Sequence, residues 1–263
     1  MDTSRRTSMD EHEQLHRLGI YCRPDLPGMT KAAQDFLSVS HEVVHFIFIP
    51  YSIADDLDRT LELMKSTTKS DIKLINHRKL MDSFDPIAFD LLNARIIDLF
   101  LSYISDLLAQ IFLKNPRMLK SDKEFTAEEI LSHNDYADLV NMIAEKTVNS
   151  LSREGFVSMS ALIEKRYGLT LVADKTEFEE MLLANEFRNL YVHQRGIVNN
   201  TYLKRVPNSK KNTGDELHTS GLGWISLVAK IVLELDKRVI DKFSIEPSAN
   251  STVVRRCGKS RFA

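Results

Sequence analysis

Along most of this chain apolar residues recur at three- and four-residue intervals, and the elements they predict are nearly all helices. From Asp35 to Lys69 the spacing puts Leu57, Leu61 and Met64 on one helical face, with Pro50 expected to kink or divide the segment. The run "FIFIPY" in its middle has a short strand as its alternative reading. The clearest element spans Pro86 to Leu113, "PIAFDLLNARIIDLFLSYISDLLAQIFL", with Asp85 placed to cap it and Pro86 suited to its first turn. Apolar positions occupy most of its circumference, which predicts a central, buried helix, and Pro116 ends it.

Further on, Thr126-Ala127-Glu128-Glu129 has the form of a capping box opening a short helix to Ser132. Helices are then expected over 135 to 151 and from Ser158 to Tyr167, the second ending at Gly168 before an extended "LTLV". Lys175 to Gln194 forms the next, with Gly196 where a left-handed residue is wanted. After a polar loop over 206 to 216, a last helix runs from Leu222 to Lys242. This divides the chain into a polar, weakly ordered lead-in (1–35), an N-terminal helical segment of open assignment (36–84), a main helical domain (85–243) and a basic tail (244–263). The tail carries Arg255, Arg256, Lys259 and Arg261 and reads as a disordered, solvated end.

Composition supports an all-α fold, since nine glycines and seven prolines in 263 residues leave few strand and turn signals. A net charge of −2 excludes a chain that binds nucleic acid by being basic all over, so any RNA contact must be local. Cys22 and Cys257 stand at opposite ends, which gives neither a disulfide framework nor a cysteine zinc site and fits a reducing cytoplasm. The longest apolar run, Val43 to Ile49, falls short of the ~20 residues of a membrane span. The polar start "MDTSRRTSMDEHEQ" has no apolar signal core, so neither export nor a membrane is expected.

Two stretches offer chemistry. His41-Glu42-Val43-Val44-His45 matches the HExxH pattern of zinc peptidases, in which two histidines one helical turn apart hold the metal and the glutamate acts as base. The third ligand would have to be Glu62 or His77, neither of which sits in a second motif, so the ordinary reading is a helix with His41 outward and His45 partly packed. The second stretch is "NEFRNLYVHQRG", with Arg188, Asn189 and His193. Its ordinary reading is a cationic helix end, where His193 and Arg195 meet the macrodipole for ~0.3 to 1 kcal/mol each when exposed.

The whole run "EFRNLYVHQRGIVNNTYL", with the helices before it, resembles the HEPN family (higher eukaryotes and prokaryotes nucleotide-binding domains) over about residues 85 to 243. There an arginine is followed by a polar residue and, four to six residues on, a histidine. The resemblance implies a HEPN-like helical bundle forming a symmetric homodimer with the two motifs facing one cleft. It further implies a metal-independent endoribonuclease without cofactors, of the toxin or abortive-infection kind, leaving a 2′,3′-cyclic phosphate and a 5′-hydroxyl. Some members have lost catalysis and only bind or dimerise within multi-protein systems, and an antitoxin or defence-system partner is expected.

The residue types suit that chemistry. An imidazole exchanges protons near neutral pH, so His193 can act as base or acid, and the planar fork of Arg188 matches phosphate oxygens. Asn189 can orient either of them. Arg195, Lys204, Arg205, Lys210 and Lys211 are candidates for a phosphate-binding rim, while Tyr191, beside Leu190 and Val192, reads as core more than as a stacking platform. Residues five apart on a regular helix point about 140° from each other, so Arg188 and His193 of one chain are not expected to share a face. Either the helix loosens near Gly196 or two chains assemble the site.

Overall fold

A computed structural model describes residues 28–68, 77, 79, 84–118, 126–131, 133, 135–219 and 223–248. Among them the helices are α1 (Lys31–Thr68), α2 (Asp85–Lys114), α3 (Ala127–Leu131), α4 (Tyr136–Glu154), α5 (Phe156–Tyr167), α6 (Lys175–Gln194), α7 (Asn200–Arg205) and α8 (Gly223–Phe243). No strand occurs among the described residues, only an isolated antiparallel bridge between Ile197 and Glu216. The fold is all-α.

α2 is the axis of the fold. Leu92, Ile96, Ile97, Phe100, Ile104, Leu107, Leu108 and Ile111 are fully buried, and they are spread around the helix so that α1, α4, α6 and α8 all pack on it. Its start differs from the expected one. Phe84 holds the cap position without a side-chain hydrogen bond, and Asp85 is already helical. Pro86 falls in the first turn, where a missing N–H is harmless.

α1 runs unbroken through Pro50, which corrects both the expected division and the strand alternative for "FIFIPY". Val44 and Ala54 are buried on either side of the proline, which itself is exposed, so the helix continues through it despite a local cost of ~3 kcal/mol. The helix is also tied at its start. Thr30 is buried, its hydroxyl accepts from the Ala33 N–H at 3.2 Å, and its own N–H donates to Asp236 of α8 at 3.0 Å. The Thr30 hydroxyl donates to the same carboxylate. Burial raises the Asp236 pKa, and the bonds from Thr30 oppose that rise. Residues 28–35 therefore belong to the fold and are not part of a loose lead-in. The rest of that lead-in, 1–27, lies outside the described residues.

One apolar core joins the first half of α1, through Ala32, Phe36, Leu37 and Val44, to α2, α4, α5, α6 and α8. A smaller cluster of Leu190, Val198, Tyr202 and Val206 closes the end of α6 against α7. The second half of α1 departs from the core, with Ile49, Ile53, Leu57 and Met64 exposed, so the face expected from Leu57 and Met64 points outward. By length and mean hydropathy alone Lys31–Thr67 and Pro86–Lys114 would each reach across a bilayer. Within their most apolar windows, 72% of the second is buried in the protein against 25% of the first.

The remaining elements follow the sequence pattern with small shifts. α3 opens directly after Thr126, whose carbonyl accepts from the Ile130 N–H at 3.1 Å, and it closes at Leu131. α5 ends on Gly168 at φ 63°, and the "LTLV" segment belongs to no sheet and bends at Leu171. Arg238 holds it by donating to the carbonyls of Thr170 at 2.7 Å and Leu171 at 3.2 Å. The expected tail starts late, because Ile245 is buried and the Ser248 N–H donates to the Met29 carbonyl at 2.9 Å. Residues 249–263, with the tail's arginines, lie outside the described residues. Phe100→Ala should remove about 3–5 kcal/mol of stability by opening a cavity in the axis helix. Urea unfolding followed by circular dichroism measures it, and a loss under about 1 kcal/mol would contradict the central placement of α2.

Candidate active site

α6 starts on Asp174, whose carboxylate accepts from the Glu177 N–H at 3.0 Å, and stays regular to Gln194. Two left-handed residues then end it, Arg195 at φ 55° and Gly196 at φ 77°, where only Gly196 was expected. The Gly196 N–H reaches back to the Leu190 carbonyl at 3.1 Å, and a Cβ at Gly196 would stand 3.2 Å from the Leu217 carbonyl oxygen. This tight exit lets residues 196–198 pair with 214–217 and swings α7 beside the end of α6. Sequence periodicity did not reveal α7. It is six residues long, and its signal is one cap: the Asn199 side chain accepts from the Tyr202 N–H at 2.9 Å.

Between α6 and α7 lies a cavity of about 280 Å³ lined by Arg188, Asn189, His193, Gln194, Tyr202 and Arg205, among others. Arg188 and His193 of one chain thus border one space, although α6 does not loosen before Gln194. The length of the arginine side chain makes up the angular gap. Its Nε donates to Asp98 of α2 at 2.6 Å and its Nη1 to the Asn189 side-chain oxygen at 3.2 Å. The Asn189 carbonyl therefore steadies the arginine instead of the histidine. His193 is exposed in the last turn of α6, the position where the macrodipole favours a cation.

The proposed basic rim divides. Arg205 donates to both oxygens of Glu186, at 3.3 and 3.4 Å, and Glu186 has a side chain only 3% exposed. Gly155 at φ 97° lets this guanidinium approach, because a Cβ there would lie 3.3 Å from it. Arg205 is thus the counter-ion of a buried carboxylate, and of the five rim candidates it is the one that lines the cavity. Arg195, Lys204, Lys210 and Lys211 are exposed and none lines the cavity; Lys211 donates to the Glu216 carbonyl at 3.1 Å. Tyr191 stacks on Phe187 with centroids 5.6 Å apart and does not line the cavity. Burial, then the nearby Asp90 charge, raises its pKa.

On the other side of Arg188 a cavity of about 400 Å³ carries Asp98, Asp106, Asn141 and Glu145. Burial raises the Asp106 pKa, with Asp35 and Glu145 adding to it. The His41 and His45 rings meet edge-on at 4.2 Å. Glu62 lies seventeen residues beyond His45, roughly 25 Å along the helix, and His77 bonds through Nδ1 to Asp58 at 2.7 Å. Among the described residues no group of three possible ligands forms around the HExxH pair.

A second histidine site was missed. His218 donates through Nδ1 to Asp90 at 2.7 Å, and its Nε2 lies 3.3 Å from a Glu216 carboxylate oxygen. Asp90, 1% exposed, also accepts from the Thr219 N–H and hydroxyl at 2.7 and 2.8 Å. The hydrogen bond to Asp90, then that to Glu216, raises the His218 pKa. The available signal was an aspartate among the apolar residues of "PIAFDLL", since a carboxylate on a buried face requires a partner.

No protein-family model, curated protein or solved structure matches this chain.

Two outcomes follow from this geometry. Arg205→Ala should cost about 2–4 kcal/mol, somewhat below the ~3–5 of a fully buried pair because the Arg205 side chain is 29% exposed. Adding Glu186→Gln should recover much of it in urea unfolding, and an equal loss in both variants would contradict the buried-charge account. For His218 the folded pKa lies above the unfolded value, so its contribution is complete below about pH 6.5 and fades as pH rises through the raised pKa. The stability gap between wild type and His218→Gln should therefore narrow toward alkaline pH, and a gap that widens would contradict the pairing.

Proposed function

We propose that the protein is a metal-independent endoribonuclease of the HEPN kind, acting as a cytoplasmic toxin or abortive-infection effector. The observation that carries this reading is the cavity bordered by Arg188, Asn189 and His193 at the end of α6 in an all-helical chain. In the proposed reaction His193 takes the proton of the RNA 2′-hydroxyl and O2′ attacks the adjacent phosphorus. The bond from phosphorus to O5′ breaks, leaving a 2′,3′-cyclic phosphate, and an imidazolium returns a proton to O5′. Arg188 stabilises the non-bridging oxygens where negative charge gathers. The His193 of a second copy supplies the acid in a homodimer, and Arg195, Lys204, Arg205, Lys210 and Lys211 guide the RNA backbone.

A second reading is a non-catalytic HEPN-like module that dimerises or binds RNA or nucleotides within a multi-protein system. It is favoured by the 2.6 Å bond to Asp98, which already occupies one edge of the Arg188 fork. RNA cleavage in EDTA separates the two. Wild type should release fragments with cyclic-phosphate ends, and Arg188→Ala and His193→Ala should each slow release about 10²–10⁴-fold. Cleavage unchanged in both variants would sink the nuclease, and a stable dimer that cuts nothing would select the second reading.

A further inference from the structure

Beside the motif cavity lies another of about 350 Å³, walled by Leu183, Tyr202, Leu217 and Trp224 with Asn93 and His218 as polar lining. Tyr202 borders both cavities, so the two adjoin across one side chain. We infer that this second cavity receives a nucleobase of the RNA strand whose phosphate occupies the cavity of Arg188 and His193, with Trp224 as its stacking surface. The inference rests on the ribonuclease reading for what lies next door, but its own contents are those of a site for a flat aromatic group: mostly apolar walls with a few polar groups.

Three features support it. Trp224 is held from behind, its indole 5.3 Å from the Phe187 ring at 57°, and Phe187 in turn stacks on Tyr191. A stacking surface held in this way loses little freedom when a base arrives. The polar lining is held as well, because Asp90 takes three hydrogen bonds from His218 and Thr219, and Asn93 donates to the Thr219 hydroxyl at 3.0 Å. Charge also selects the occupant. Two carboxylates, Asp90 and Glu216, flank the single imidazole of His218, so this cavity disfavours a phosphate and suits an uncharged base, while Arg188 lies on the motif side. A strand spanning both would place backbone in the first cavity and base in the second.

Trp224 is the only tryptophan in the chain, which makes its fluorescence a direct probe. The test titrates full-length His193→Ala protein, present so that RNA survives, with short homopolymeric oligoribonucleotides and with a ribose-phosphate chain of equal length that lacks bases. Saturable quenching by the oligonucleotides and none by the base-less chain is expected. Leu183→Phe, which fills the cavity from a partly exposed position, should weaken the quenching affinity about tenfold, the loss of one base stack. Trp224→Ala should weaken oligonucleotide binding by a similar factor in fluorescence anisotropy and leave the base-less chain unaffected, with Trp224→Phe restoring most of it.

Equal quenching by both ligands, or no effect of Leu183→Phe, would overturn the inference even if wild type cleaves RNA. Quenching with the expected selectivity in a protein that cleaves nothing would uphold the base site and reject the nuclease.

Discussion

Burial of α2 on nearly every side is the constraint from which the rest follows. Arg95, Ser102 and Asp106 lie on its one exposed stripe, but a polar side chain on an enclosed face leaves water, and a buried carboxylate without a partner is costly. Three of its polar side chains recruit a neighbour. Asp90 binds His218 and Thr219, Asn93 binds Thr219, and Asp98 binds Arg188. Asp90 and Asp98 stand eight residues apart, roughly 12 Å along the axis, so one rigid rod sets the positions of the motif arginine and of the 215–219 loop. The candidate site is placed by the core as much as by its own helix.

The large helices were legible because each is long and carries a sustained apolar face. α6 was expected from Lys175 to Gln194 and has those bounds, and α8 is displaced by one residue. α1 was misread at Pro50, where a local rule did not hold and the helix runs on from core-packed Val44 past the proline. The bond between Thr30 and Asp236 spans 206 residues, which no local window contains, and so the start of α1 passed for a loose segment. α7 was invisible for the opposite reason: it is too short to show a period.

Within the candidate site the residue types of the motif could be read, but not their partners. Arg188 and His193 border one cavity, together with Asn189, whereas the helical angle alone put Arg188 and His193 on different faces. Among the basic residues nearby, sequence could not distinguish Arg205 from Lys204, although one neutralises buried Glu186 and the other is exposed. That distinction depends on Gly155, fifty residues earlier, which leaves room for the guanidinium. His218 lay just beyond the polar loop of 206–216 and in no motif, and only the chain's return past α2 gives it chemical surroundings.

The bond between Arg188 and Asp98 has a consequence for any anion that enters the cavity. Asp98 is a tethered competitor: it is part of the chain, so its effective concentration near the fork stays high whatever is dissolved outside. An incoming phosphate must share the guanidinium or displace a carboxylate already 2.6 Å away. Its grip is then a difference between two similar ionic bonds, so occupancy is set by small changes in where α2 stands relative to α6.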